Sequence, residues 1–62
     1  MKPVVFNDIQ VGKNFTTPAN ITYQKITVSE CKPIIDPKGK TIANGLVSTA
    51  FYNTKILLTP IN

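Results

Sequence analysis

The sequence has no histidine, no arginine and no tryptophan, and Cys31 is its only cysteine. Without histidine, the chain lacks the side chain that most often serves as a general base at neutral pH. With one cysteine and no histidine, it can form no internal disulfide and offers no ligand set for a structural zinc ion. We therefore expect a protein that is not an enzyme, has no cofactor and holds no metal.

Carboxylates are scarce as well. Asp8, Glu30 and Asp36 stand against seven lysines, which gives a net charge of +4. These carboxylates are too scattered along the chain to predict an acid/base pair, and the isolated glycines form no phosphate-binding loop. The excess of positive charge favours an acidic partner, either a nucleic acid or a protein.

Long apolar runs are also missing. The run 4–6 is far too short for the apolar part of a signal peptide, and no segment approaches the roughly 20 apolar residues of a membrane-spanning helix. A lone cysteine favours a reducing compartment. We therefore expect a cytoplasmic protein without a membrane partner.

What the sequence does contain is typical of β-structure. Ile, Val, Thr, Phe and Tyr are frequent, and five prolines leave no stretch that favours a long helix. Strands are predicted over 4–6, 13–17, 21–29, 46–52 and 55–59, with an extended piece at 33–35. The segment 46–52 is also the one place where a single helical turn could form. We predict a single all-β domain over residues 1–62, a small barrel (SH3-like or similar) of five to six short antiparallel strands. Closing the sheet into a barrel would remove its exposed edges.

Two turn signals lie close together in the second half. Asp36-Pro37-Lys38-Gly39 has the residue order of a type I turn, and Asn44-Gly45 is the strongest two-residue hairpin signal in the chain. Only residues 40–43 separate the two signals. The region therefore forms either one hairpin or two turns, with one signal then marking a bulge.

The stretch FNDIQVGKNF, residues 6–15, spaces its apolar residues regularly between turn formers. Gly12 is one of these, because glycine adopts a positive φ without strain. The stretch predicts a strand, a tight turn and a second strand. The apolar residues predicted to pack the first corner of the core are Phe6, Ile9, Val11 and Phe15.

This stretch is part of a longer pattern. Phe6-x-Asp8-Ile9-x-x-Gly12-x-x-Phe15 is followed by Tyr23-x-Lys25-Ile26, and later by Leu58-Thr59-Pro60-Ile61. The pattern resembles a loose group of very short bacterial and phage proteins that begin F-x-D-L-x-x-G-x-x-F, continue Y-x-K-I and end near V-x-P-V. Ile9 departs from the common Leu. The resemblance implies a small β fold and a bacterial or phage origin, with the host cytoplasm as the location of a phage product, and it assigns no functional residue.

Binding of a partner protein is the first of three functional hypotheses. Residues 46–47 and 56–58 carry more apolar side chains than one face of a small sheet needs. They would contact a partner protein or a second copy of the chain, since a chain this short buries only about 60% of its unfolded surface. If the chain is phage-encoded, it would bind or inhibit a host protein. The candidate interface residues are Leu46, Val47, Ile56 and Leu58.

Nucleic-acid binding is the second hypothesis. Small β-barrels bind single strands by stacking bases on aromatic rings beside lysines. The absence of arginine and of an aromatic-rich RNA-binding motif counts against it. The candidate residues are Tyr23, Lys25, Lys38, Lys40 and Lys55.

Capture of an anionic small molecule, such as a nucleotide, is the third hypothesis. The pockets would lie between the subunits of an oligomer. Threonine hydroxyls and the same lysines would donate hydrogen bonds to phosphate oxygens.

Overall fold

The computed structural model describes residues 2–61, which form one four-stranded sheet and a single-turn 3₁₀-helix. The helix spans Phe6–Asp8, and the strands are β1 (Asn14–Thr16), β2 (Thr22–Lys25), β3 (Cys31–Ile35) and β4 (Thr59–Ile61). Their order in the sheet is β3-β2-β1-β4, and all neighbours are antiparallel. The all-β prediction is confirmed. The sheet is open, however, so these residues do not form the predicted barrel of five to six strands. Within residues 2–61, no helix has the length and apolarity to cross a membrane.

The two faces of the sheet differ, because side chains alternate along each strand. The inner face packs against Phe6 of the 3₁₀-helix and Phe51 of the segment before β4. Side chains from paired positions line it, and the set is Phe15, Tyr23, Lys25, Cys31, Pro33 and Pro60. The outer face is polar and partly exposed, and its central residues are Asn14, Thr16, Thr22 and Gln24.

The buried core is small and centres on Phe15. The ring of Phe15 meets the edges of Phe6 and Phe51 at centroid distances of 5.8 and 6.0 Å, and stacks on Tyr23 at 5.7 Å. The predicted packing of Phe6, Ile9 and Phe15 is confirmed, whereas Val11 lies in the turn before β1 and is exposed. The fully assembled core consists of Phe6, Ile9, Phe15, Cys31 and Leu58.

The sheet does not need to close, because segments outside the four strands pair with both of its edges. A proline also stands at each edge. At the β3 edge, Cys31 and Ser48 exchange two backbone hydrogen bonds, of 2.9 and 2.7 Å. The backbone groups of Pro33, two residues after Cys31, also face away from β2. Proline has no N–H, so Pro33 cannot donate a hydrogen bond to a further strand. At the β4 edge, Leu58 pairs with Val4 in the same manner, and Pro60 follows.

Several predicted strands are shorter than expected or absent. Residues 4–6 contribute only the bridge at Val4 before the 3₁₀-helix begins. The strand predicted over 21–29 ends at Lys25, because Thr27 Oγ1 accepts hydrogen bonds from the N–H groups of Ser29 and Glu30 and so closes a loop. Residues 46–52 make only the bridge at Ser48, and 55–59 are strand only from Thr59. Apolar β-formers in these stretches favour extended chain, but a strand also needs a free partner edge.

The two turn signals have different outcomes. The turn at 36–39 is confirmed, since Gly39 N–H donates to Asp36 O at 3.0 Å and Gly39 has a φ of 86°. Asn44-Gly45 joins no pair of strands, and Asn44 lies in a separate turn. Of the two alternatives, the region therefore forms two turns, and the first of them connects the bridged residues Ile35 and Thr41. Glycine is required at 45 because a Cβ there would overlap the carbonyl oxygen of Pro33 and lie 3.0 Å from its Cγ.

Candidate interaction surface

Lys25 is a buried structural residue and does not belong to a surface site. Its side chain is 3% exposed, and its Nζ donates hydrogen bonds to the carbonyl oxygens of Phe6 at 2.9 Å and Ile9 at 2.6 Å. Burial lowers the pKa of this amine, and the negative charge of Asp8 partly opposes that shift. The assignment of Lys25 to nucleic-acid binding is corrected, because its ammonium is buried and donates hydrogen bonds to two backbone carbonyls.

Tyr23 is likewise engaged inside the fold. Its ring stacks on Phe15 with an interplanar angle of 8° and meets Phe51 edge-on at 5.1 Å. A base-stacking platform needs a ring face that is open to solvent. Tyr23 is partly buried, and Phe15 stacks on its ring, so this tyrosine packs on the core side of the sheet.

The spaced opening pattern now has a structural explanation. Phe6, Ile9 and Phe15 are core residues, and Gly12 has a φ of 92° while its N–H donates to Lys25 O at 2.7 Å. Lys25 in turn holds the carbonyl end of the 3₁₀-helix. The pattern F-x-D-I-x-x-G-x-x-F with Y-x-K therefore connects residues 6–15 to β2 through core packing and hydrogen bonds to Lys25.

Lys38, Lys40 and Lys55 are exposed but are not gathered with Tyr23 and Lys25. Lys38 and Lys40 lie in the 36–40 turn, where Asp36 Oδ1 accepts hydrogen bonds from their backbone N–H groups at 2.9 and 2.8 Å. Lys55 lies in the segment that leads to β4. The structure thus separates the predicted nucleic-acid residues into a core pair and scattered surface charges.

Positive charge predominates on the surface. Six of the seven lysines are exposed, and among residues 2–61 no ammonium lies within 4.0 Å of a carboxylate oxygen. Two carboxylates make local hydrogen bonds, since Asp36 holds its turn and Glu30 accepts from Thr27 Oγ1, and the third, Asp8, is exposed and lies near Lys25. The segment 37–61 contains no carboxylate at all.

The predicted interface residues divide into buried and exposed ones. Leu58 is fully buried in the core, so its assignment to an interface is corrected. It was misplaced because its neighbours are apolar too, and composition alone does not say which one faces inward. Ile56 is exposed as predicted, and Leu57, which the sequence pattern did not single out, is exposed by 57%.

Leu46 and Val47, named here the apolar pair, are adjacent exposed apolar residues, and Leu46 is the most exposed large apolar side chain among residues 2–61. They are 84% and 54% exposed. Ser48, the next residue, is held to Cys31 by the two backbone hydrogen bonds, and Gly45, the residue before, packs against Pro33. Both flanks of the pair are therefore anchored to β3.

Lys32 is an exposed lysine of β3 that the sequence pattern did not predict. It follows Cys31, whose isolated antiparallel bridge pairs it with Ser48 alone. The side chains of Lys32 and Val47 are both exposed. The alternation of Cys31, Lys32 and Pro33 along β3 was the signal that could have placed Lys32 outward.

A cleft lies at the β4 edge of the sheet, between the 3₁₀-helix and the end of β4. Its volume is about 210 Å³, and pockets for drug-sized ligands are roughly 300–1,000 Å³. No group of three potential metal ligands occurs among residues 2–61. The cleft is lined by Val4, Asp8, Ile9, Gln10, Lys13, Pro60 and Ile61.

Comparison with protein families, with curated proteins and with solved structures finds no significant match for this chain. The exposed apolar pair is thus the feature from which a function has to be inferred.

Proposed function

We propose that this chain is a non-enzymatic interaction protein that binds a partner protein through the apolar pair. The observation that carries the proposal is the 84% exposure of Leu46 on a backbone anchored at both flanks. Exposed aliphatic side chains normally reduce solubility. A backbone that is already held in place loses less conformational entropy when a partner binds. Such a surface is favourable for a protein that uses it in a complex.

The other two hypotheses have less support. Nucleic-acid binding would have to proceed without Tyr23 and Lys25, both of which serve the core. Nucleotide capture would need more volume than the cleft beside the 3₁₀-helix provides in one chain. A protein partner requires neither feature.

The resemblance to short phage and bacterial proteins gives the proposal a biological setting. A phage-encoded chain of this size would act by occupying a surface of a host protein and so blocking or redirecting it. Its place of action would be the host cytoplasm.

The test is affinity capture from a bacterial lysate treated with nuclease, with wild type, Leu46→Asn and Val28→Asn as baits. Val28 is a matched control, because it is also aliphatic and 69% exposed but lies in the 26–30 loop. We expect one protein to be retained by wild type and Val28→Asn and lost by Leu46→Asn. Equal retention by all baits would refute the role of the apolar pair.

Native mass spectrometry of the same proteins tests self-association. We expect a monomeric wild type. A wild-type dimer that Leu46→Asn dissociates would assign the pair to a contact between copies of the chain and overturn the partner proposal.

A further inference from the structure

We infer that Asn44 is a site of spontaneous modification, at which loss of ammonia yields aspartate or isoaspartate next to the anchored flank of the apolar pair. Asparagine is among the least durable residues chemically, and a following glycine makes it more reactive. The fold leaves Asn44 open to this reaction while it holds the other asparagines of residues 2–61. The reaction needs no partner protein, so it is independent of the proposed function.

The reaction uses only Asn44, the backbone nitrogen of Gly45 and water. The nitrogen of Gly45 loses its proton and attacks Cγ of Asn44, which closes a five-membered succinimide ring. The bond from Cγ to Nδ2 breaks, and ammonia leaves with a proton. Water then opens the ring: cleavage between the Gly45 nitrogen and Cγ gives aspartate, and cleavage between that nitrogen and the main-chain carbonyl carbon gives isoaspartate. Glycine favours the attack because it has no Cβ beside the nitrogen.

Both reacting groups at this position are free. Asn44 is exposed in a turn, and its side chain makes no hydrogen bond within residues 2–61. The N–H of Gly45 donates to no acceptor among these residues either. A backbone N–H in regular structure is held by its acceptor, which has to be given up before the nitrogen can turn toward a side chain. Ring closure at Asn44 carries no such cost.

Asn7 and Asn53 are held by each other and by their own turns. The side-chain amide of Asn7 donates to Oδ1 of Asn53 at 3.0 Å, and Asn7 Oδ1 accepts from the N–H of Asn53 at 3.3 Å. The attacking nitrogens would be those of Asp8 and Thr54, whose N–H groups donate to backbone carbonyls at 3.0 and 3.4 Å. Ring closure at either asparagine therefore breaks hydrogen bonds of both reacting groups.

Asn20 and Asn14 are held in a similar way. Asn20 Nδ2 donates to the carbonyl oxygen of Pro37 at 3.5 Å, and the N–H of Ile21, the attacking group there, donates to Thr17 Oγ1 at 3.3 Å. Asn14 lies in β1, which is paired on both sides. None of these asparagines precedes glycine. Sequence and fold thus both single out Asn44.

Isoaspartate at position 44 would strain the anchor of the apolar pair. Its main chain runs through Cβ and Cγ, so the link to Gly45 is longer by one methylene group. Gly45 cannot move toward Pro33, because even a Cβ there would overlap the Pro33 carbonyl oxygen. We therefore expect the added length to loosen the following segment and the bridge between Ser48 and Cys31. The product also carries a carboxylate in the segment 37–61, which otherwise has none.

Peptide mapping by mass spectrometry tests the site. Wild type is incubated at constant pH in native buffer and in urea, and each asparagine is followed over time. We expect Asn44 to be converted first, with native and urea rates within about fivefold, as for a segment with little local protection. The variant Asn44→Gln should give no product at this position, because its longer side chain cannot close the five-membered ring. A larger gap between the two rates, or earlier conversion of Asn7, Asn20 or Asn53, would overturn the inference.

Amide hydrogen exchange tests the effect on the anchor. Ion exchange isolates the isoaspartate form, because the modified chain has lost one unit of positive charge. The N–H of Ser48, which donates to Cys31 O at 2.7 Å, should exchange roughly tenfold faster in this form than in wild type. Freshly prepared Asn44→Asp is the matched control, since it adds the charge without the methylene group and should exchange at the wild-type rate.

The two remaining outcomes of the exchange measurement would both refute a loosened anchor. Unchanged exchange of Ser48 in the isoaspartate form would show that the turn absorbs the added length. Equal acceleration in Asn44→Asp would assign the effect to charge. Neither mapping nor exchange involves a partner protein, so failure of these results is distinguishable from failure of the proposed function.

Discussion

The ammonium of Lys25 lies 4.3 Å from the centre of the Phe6 ring while it donates a hydrogen bond to the carbonyl oxygen of the same residue. Phe6 thus contacts the cation with both its ring and its backbone. The charge is stabilised by the ring quadrupole on one side and by carbonyl dipoles on the other. This contact connects the 3₁₀-helix to β2 and explains why a lysine is tolerated at a buried position.

Replacement of this lysine should therefore destabilise the fold. Lys25→Met keeps most of the side-chain volume but leaves the buried carbonyl of Ile9 without its donor. We expect a loss of about 2–3 kcal/mol in the free energy of unfolding, the usual cost of removing one partner of a charged hydrogen bond. Urea unfolding measures it, with Lys38→Met at an exposed position as the control. Equal midpoints for the two variants would contradict the structural role of Lys25.

The stability of the protein should fall at alkaline pH through Cys31. Burial raises the pKa of the Cys31 thiol from 9.0 to about 11. Between these values the unfolded chain releases the proton and the folded chain keeps it, so rising pH favours unfolding. The loss across this window should be about 2–3 kcal/mol, from a shift of about two pH units.

A Cys31→Ala variant isolates this contribution, since it has no thiol to titrate. Lys25 acts in the opposite direction. Its folded-state pKa is lowered, so stability rises with pH from that value to 10.5. That term is common to wild type and Cys31→Ala and cancels in the difference between their unfolding free energies. A difference that stays constant from pH 8 to pH 11 would show that the thiol is not protected by the fold.

Gly45→Ala should disturb both the fold and the apolar pair. The added methyl group would collide with the backbone of Pro33, and β3 cannot move without loosening the pairing with β2. We expect a destabilisation of about 1–3 kcal/mol, typical of overpacking. Weaker binding of the captured partner should accompany it.

Gly39→Ala is the comparison for that substitution. Gly39 has open space around its Cα but a positive φ, so alanine there costs only backbone strain of about 1–2 kcal/mol. Partner binding should be unchanged in Gly39→Ala. If both variants bind the partner equally well, the contact between Gly45 and Pro33 does not position Leu46.

Asn14→Val should stabilise the protein. Asn14 lies in the middle of the sheet, and its Oδ1 is buried without a hydrogen-bond partner among residues 2–61. Valine removes the unsatisfied acceptor and favours the strand conformation, so we expect a gain of about 0.5–1 kcal/mol. Thermal unfolding measures it, and a lower melting temperature for the variant would show that the amide makes a net favourable contribution.

The sequence predicted local features better than their assembly. Gly12 and the 36–39 turn were predictable, because positive φ and turn order depend on a few adjacent residues. Phe6, Ile9 and Phe15 were predictable as core from their spacing. The open sheet was not predictable, because strand content says nothing about whether edges are closed by pairing or covered by Ser48 and Val4.

The predictions that placed Lys25 and Leu58 in a surface site were wrong for a related reason. A lysine in a strand is normally solvent-exposed, and only the position of the Phe6 and Ile9 carbonyls makes Lys25 an internal donor. Leu58 and Leu57 have the same chemistry, and the bridge to Val4 decides which one is buried. Such choices depend on contacts between residues far apart in the sequence.

The prolines at the two sheet edges have a consequence for the behaviour of the protein at high concentration. A short chain rich in β-formers is otherwise well suited to stack with its own copies into cross-β fibrils, which grow by adding strands to a free edge. Pro33 and Pro60 each withhold the N–H that an incoming strand would need. Strand addition is therefore disfavoured at both edges of the sheet, even though Leu46 is exposed.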